Sequence, residues 1–266
     1  MNPTSVTPSL SVSNHWFVCP QARQEAKIRV FLFPYAGGSP ATFFKWAFEF
    51  PGNLEAQIAH YPGRGSRRNE IPINQIIVLA ERLSQAIQPL LDKPFAFFGH
   101  SLGGLVAFEL TRQLRQQNLP QPEILFISAC GAPHLLSPYP PIHKLPDAEF
   151  LDEVRRLNGI PAEVLQFPEA IKFLLPVLRA DFEAIENYRF NSNEHRFTSP
   201  IFAFGGLADP IVSREFLEGW AFHTIARFDS LYFPGDHFFI NNAKEAVLQS
   251  ISKEMMPFPA RSHESV

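Results

Sequence analysis

The sequence predicts an α/β fold, a mostly parallel central sheet with helices on both faces and a helical insertion. Short apolar runs alternate with amphipathic stretches over residues 27–133, and the rhythm resumes over 197–255. Between them, residues 134–196 hold helical patterns and no convincing strand. At the centre, Phe95-Ala96-Phe97-Phe98-Gly99-His100-Ser101-Leu102-Gly103-Gly104 reads as a buried strand, a sharp turn at a serine, and the start of a helix.

Residues 1–26 read as a flexible lead, with one short strand over His15–Cys19. Lys27–Tyr35 is a strand closed by Ala36-Gly37-Gly38-Ser39. Ala56–Tyr61 is a second, closed by Pro62-Gly63-Arg64. A helix follows over Ile73–Leu91, then the strand Phe95–Gly99. Leu102–Gln117 places Leu105, Phe108, Leu110 and Leu114 on one helical face among charged and polar neighbours. Glu123–Ala129 is the next strand. The insertion opens on the proline-rich Ser137-Pro138-Tyr139-Pro140-Pro141. Helices are expected near Asp147–Leu157, Pro161–Leu165 and Pro168–Tyr188. The strand Pro200–Phe204, a helix from Ser213, the strand Phe228–Phe233 and a helix from Asn241 complete the domain, with residues 256–266 as a tail. The insertion is a candidate lid.

Composition excludes several classes. With 266 residues, 45% hydrophobic and 18% charged, the chain suits a globular domain with a large core. A formal net charge of −3 offers no basic excess to attract nucleic acid. The count of 27 Phe against 5 Tyr is unusual; packing is the expected use of most of them. Two distant cysteines, Cys19 and Cys130, make neither a disulfide framework nor a zinc site. The polar N-terminus lacks the pattern of a signal peptide, and no apolar run is long enough for a membrane span. The default location is the reducing cytoplasm.

The serine turn fits the G-x-S-x-G nucleophile elbow of the α/β-hydrolase fold. Ser101 must project from a sharp turn, and Gly99 and Gly103 avoid the clash that a Cβ would create there. The helix that follows directs its N-terminal dipole at developing negative charge. A serine hydroxyl needs a base, and the base needs an orienting acid, in the chain order Ser, Asp or Glu, His. Asp209, on the loop after Ile201–Phe204, is the candidate acid. Asp181, in the insertion, and Asp229, near a strand start, lie at the wrong addresses. His237 follows the last strand and is the candidate base. His100 reads as a packing or turn residue, and the other histidines lie before the serine, in the insertion, at a helix end or in the terminal segments. The oxyanion donors expected are the N–H of Leu102 and one from the loop after the first strong strand, Ala36 first and Gly37 second.

These pieces occur with others in a characteristic order: Phe33-Pro34-Tyr35-Ala36-Gly37-Gly38-Ser39, Tyr61-Pro62-Gly63-Arg64 with Arg67, Gly99-His100-Ser101-Leu102-Gly103, Ala132-Pro133, Leu145-Pro146-Asp147, Leu178-Arg179-Ala180-Asp181-Phe182, Asp209-Pro210 and Gly235-Asp236-His237-Phe238-Phe239. The chain resembles, from about residue 27 to 250, the stand-alone type II thioesterases of non-ribosomal peptide and polyketide synthesis. It departs from them at Leu102 and Gly104, where Met and Ala are frequent, at Gly65, where Glu is frequent, and at Asp236, where many have Gly. The resemblance implies hydrolysis of acyl thioesters on the phosphopantetheine arms of acyl or peptidyl carrier domains, an editing role in antibiotic biosynthesis. It implies carrier domains as partners, a monomer, and no cofactor, metal, nucleic acid or membrane. Another serine hydrolase or an acyltransferase on the same fold is the alternative. A carrier-type serine, carrying rather than attacking, is disfavoured by the strand before it and by Asp209 and His237 after it.

Overall fold

The computed structural model describes residues 15–136, 138–160, 166–192 and 195–256. In chain order the elements are β1 (Phe17–Val18), β2 (Ile28–Phe33), α1 (Trp46–Glu49), β3 (Leu54–Ala59), α2 (Ile76–Ile87), β4 (Phe95–His100), α3 (Leu102–Gln116), β5 (Ile124–Ser128), α4 (Asp147–Arg156), α5 (Pro168–Glu186), β6 (Ile201–Gly206), α6 (Arg214–Glu218), β7 (Phe228–Phe233), α7 (Phe239–Asn242) and α8 (Lys244–Met255). The helix expected over 161–165, the first part of the lead (1–14) and most of the tail (257–266) lie outside the described residues.

One seven-stranded sheet has the order β1-β3-β2-β4-β5-β6-β7, antiparallel only at the β1–β3 edge. The period-two alternation of strand side chains divides the core. Phe31 and Phe33 of β2 and Phe95 and Phe97 of β4 face α2 and α3. Val30, Leu32, Ala96 and Phe98 face α1 and α8. The phenylalanines meet edge to face, as for Phe31–Phe95 at 5.6 Å and Phe33–Phe97 at 5.1 Å. Each adds about 1.5–3 kcal/mol of burial free energy and a smaller quadrupole term.

Strand order also creates the cleft. From β2 the chain turns one way to β3; from β4 it turns the other way to β5. Their loops therefore diverge at the carboxyl ends of adjacent strands, the topological switch point where open α/β sheets bind ligands.

The short strand expected over His15–Cys19 is present as β1, but the flexible lead expected over 1–26 is corrected over its described part: residues 15–26 do not trail away. Phe17 is buried against β3, and the Arg23 guanidinium donates to the carbonyls of Ala47 (3.0 Å), Phe50 (2.8 Å) and Leu54 (2.9 Å). The four residues of α1 leave no periodic signal, yet Phe43 and Trp46 pack on Phe98. The second half of α5 also departs from a simple covering role: Ala184 is buried in the main core, and Ile185 packs against it.

Candidate active site

Ser101 sits between β4 and α3 with φ 54° and ψ −117°. That conformation costs a non-glycine residue roughly 1–3 kcal/mol and persists only where its surroundings fix it. Here the Ser101 amide donates to Ser128 O (2.8 Å), and its carbonyl accepts from Gly104 N (2.8 Å). The two flanking glycines are required for different reasons. A Cβ on Gly99 would lie 2.1 Å from Gly103 O, across the turn itself. A Cβ on Gly103 would lie 2.0 Å from Phe33 O, so this glycine lets α3 press against the end of β2. That approach holds the first turn of α3, where the Leu102 amide is one of the donors without an intrahelical acceptor, against Phe33 and Pro34, which lead into the loop carrying Ala36. Within this loop Gly38 N donates to Tyr35 O (2.8 Å) and Gly37 N to Asp181 Oδ2 (2.7 Å). Gly37, the second choice as oxyanion donor, therefore has its amide engaged, and the Ala36 amide is the loop's candidate.

Gly104 explains one departure from the thioesterase pattern. A Cβ there would stand 2.8 Å from Cys130 Cβ and 3.0 Å from its Sγ, so cysteine at 130 fills the space an alanine would need.

Asp209 and His237 come together from the loops after β6 and β7. His237 Nδ1 lies 2.9 Å from Asp209 Oδ2, and both side chains are almost wholly buried. Asp209 Oδ1 accepts from the amides of Ile211 (2.8 Å) and Val212 (3.1 Å). The aspartate thus makes the turn before Pro210-Ile211 with one oxygen and meets the imidazole with the other. Ser101 and His237 line one cavity of about 400 Å³, walled by Leu102, Leu105, Phe216 and Tyr188 among others. That is the size and mixed character of a small-molecule site.

The neighbouring ionisable groups have other work. His100 is fully buried, its Nδ1 is 2.8 Å from Ser128 Oγ, and its ring packs on Tyr35, His237 and Phe239. Burial, then the adjacent His237, holds its pKa well below the ordinary value, so it is a neutral packing group. Cys130 lines the cavity, but burial pushes its thiol up to about 12, which leaves no thiolate to compete as nucleophile. Asp236, the carboxylate beside His237, turns away from the ring. Its Oδ1 accepts from Phe238 N (2.8 Å), and its Oδ2 from the Asn158 side chain (2.9 Å) beyond α4. Among the described residues, no group of three or more His, Cys, Asp or Glu could hold a metal, and no helix is long and apolar enough to cross a membrane.

The thioesterase domain family pattern matches residues 28–255. The chain belongs to the thioesterase domain family. It is 40% identical over 246 residues to the gramicidin S biosynthesis protein GrsT of Aneurinibacillus migulanus, covering 92% of this chain and 96% of that one. Among solved structures, the type II thioesterase BorB from the borrelidin biosynthetic cluster superposes with a TM-score of 0.84 at 30% identity, covering 92% of this chain and 99% of BorB. RedJ, a thioesterase from the prodiginine pathway of Streptomyces coelicolor, superposes at 0.83 with 31% identity, covering 96% and 97%. This thioesterase is accordingly an enzyme that hydrolyses thioester bonds, on the α/β-hydrolase fold that the serine turn predicted.

The partners that support the site are not legible in the sequence. Arg64, Asp181 and Asn158 touch the site's loops from distant parts of the chain. The signal was present in the Pro-Gly-Arg and Arg-Ala-Asp-Phe motifs, but their pairing across 117 positions was not.

Proposed function

We propose that this thioesterase clears acyl groups held as thioesters on the phosphopantetheine arm of synthetase carrier domains, with Ser101, His237 and Asp209 as its triad. The observation that carries the reading is the buried His237–Asp209 pair at 2.9 Å opening on the cavity that Ser101 lines. GrsT, BorB and RedJ, all from biosynthetic pathways for natural products, support the substrate class. Ser101 Oγ attacks the thioester carbonyl carbon while His237 Nε2 takes the hydroxyl proton. Asp209 holds the proton of Nδ1 and so fixes the tautomer that can act as base. The Leu102 and Ala36 amides receive the oxyanion. Collapse of the intermediate breaks the C–S bond, and His237 returns the proton to the departing sulfur. Water, deprotonated by the same imidazole, then cleaves the acyl-Ser101 ester, and the acid leaves. No step calls for a cofactor; the pantetheine arm belongs to the substrate.

The test is Ser101→Ala against a panel of acyl-carrier and acyl-coenzyme A thioesters. Thiol release should fall by at least about 10³-fold, and the wild type should favour carrier-bound over coenzyme-bound acyl groups. Retained hydrolysis would overturn the assignment of the nucleophile. A product in which an added acceptor, not water, carries the acyl group would make the protein an acyltransferase.

A further inference from the structure

Outside the triad, a buried charged cluster reaches the loop that carries the proposed oxyanion donor Ala36. Arg64, on the loop after β3, forms a two-pronged pair with Asp181 of α5: Nη1 to Oδ2 at 2.8 Å and Nη2 to Oδ1 at 2.9 Å. The side chains are 5% and 2% exposed. Arg64 also donates to Pro62 O (3.2 Å) and Gly38 O (3.3 Å). The same Asp181 Oδ2 accepts from Gly37 N at 2.7 Å. Gly37 has φ +75°, and a Cβ there would lie 2.7 Å from Leu178 Cδ2, one helical turn before Asp181. Three segments therefore converge on one carboxylate: the loop after β2, the loop after β3 and helix α5.

We infer that Asp181 is a positioning residue for the oxyanion hole, holding the Gly37 peptide so that the adjoining Ala36 amide, the proposed donor, keeps a fixed orientation. The inference rests on the proposed acyl-serine mechanism. Its physical basis is the short loop between Phe33 and Gly38, in which one amide must remain open for the oxyanion while its neighbours are tied down. Oxyanion stabilisation depends on donors that are already oriented when charge develops. A charge-assisted bond from Gly37 N to a carboxylate is short and directional. The guanidinium fork prevents that carboxylate from rotating. Arg64 is thereby the support of the support, tied at once to Asp181 and to Gly38 O. Glycine at 37 is needed on both counts, for its positive φ and for the contact with Leu178. Asp181 lies outside the catalytic order Ser101, Asp209, His237, and its role acts only through the backbone it holds.

The experiment compares Asp181→Asn and Arg64→Lys with wild type by kcat, KM, melting temperature, and inhibition by an alkyl trifluoromethyl ketone. The serine adduct of that ketone places an oxyanion where the reaction does. Each variant should lose about 10- to 100-fold in kcat, less than removal of a whole oxyanion donor, with KM within twofold. The ketone inhibition constant should rise by the same factor as kcat falls. Arg64→Lys keeps the charge but not the fork, and it carries the test if Asp181→Asn does not fold. A lowered melting temperature with kcat and inhibition constant both within twofold of wild type would make the cluster merely structural and overturn the inference. An undiminished Ser101→Ala, or a wild type indifferent to the ketone, would instead sink the acyl-serine reading beneath it.

Discussion

Replacing Asp209 by asparagine should disable turnover while leaving the fold in place, and the geometry says why. Asp209 Oδ1 accepts from the Ile211 and Val212 amides, and Oδ2 faces His237 Nδ1. In Asp209→Asn one oxygen becomes NH₂, which must take one of those places. If it faced the two backbone amides, two buried donors would lose their acceptor, at about 1–3 kcal/mol each. A difference of even 2 kcal/mol fixes the orientation by a factor of about 30, since about 1.4 kcal/mol is tenfold. The amide oxygen therefore stays on Ile211 and Val212, and the NH₂ points at His237. A donor opposite Nδ1 forces that nitrogen to accept, which moves the ring proton to Nε2. In the proposed mechanism Nε2 can then no longer take the Ser101 proton. A wrong tautomer of this kind costs about 10⁴ in kcat, or about 5.5 kcal/mol. The assay is thiol release from an acyl-coenzyme A substrate, with the melting temperature measured in parallel. A folded variant with kcat within tenfold of wild type would refute the reasoning. So would an unfolded one, because the amide oxygen keeps both backbone bonds and the variant should fold.

Asp236→Ala should behave differently from Asp209→Asn, because Asp236 contacts Phe238 N and Asn158 and not the imidazole; a loss of about 1 kcal/mol of stability with kcat within tenfold is expected, and a loss as large as that of Asp209→Asn would make it the acid. Acid should destabilise the protein before the carboxylates titrate. His223, buried beside His134, has its pKa lowered to about 3 by burial and then by His134, against an ordinary 6.5. A depressed histidine favours the neutral form in the native state, so its contribution is complete above pH 6.5 and is lost as pH falls from 6.5 towards 3. Between pH 7.5 and 5.5 the loss is about 1.4 kcal/mol for this one group, with His100 acting in the same direction. Urea unfolding of wild type and His223→Phe at the two pH values measures it; an identical pH dependence would rule it out.

Legibility followed the range of the interactions. The strand–turn–helix around Ser101 is local, so hydrophobic period, glycine spacing and helix phase all point the same way within a few residues. Addresses on the sheet were almost as clear: Asp209 follows the buried apolar strand β6, and His237 follows β7, a half-buried edge strand that completes the strand–helix rhythm. The bounds of the longer helices and strands were readable to within a few residues for the same reason. Four-residue α1 was harder, because it is too short to show a period and is held by what it packs on; the short strand over His15–Cys19 was legible as β1, but its antiparallel pairing with β3 was not. The insertion was readable as helical but not as what it touches.

The sequence by itself determined the fold class, the alternation that builds the sheet, and which serine, aspartate and histidine are the candidates for a triad, because those are written in periodicity and order. Only the tertiary structure decided that Gly103 is small for the sake of β2, that Gly104 is small because of Cys130, that Asp236 turns away from His237, and that Asp181 holds Gly37. Each of these is a contact between segments far apart in the chain. A one-dimensional pattern records which residue is present, but the partner that gives it a purpose is set by how the elements pack.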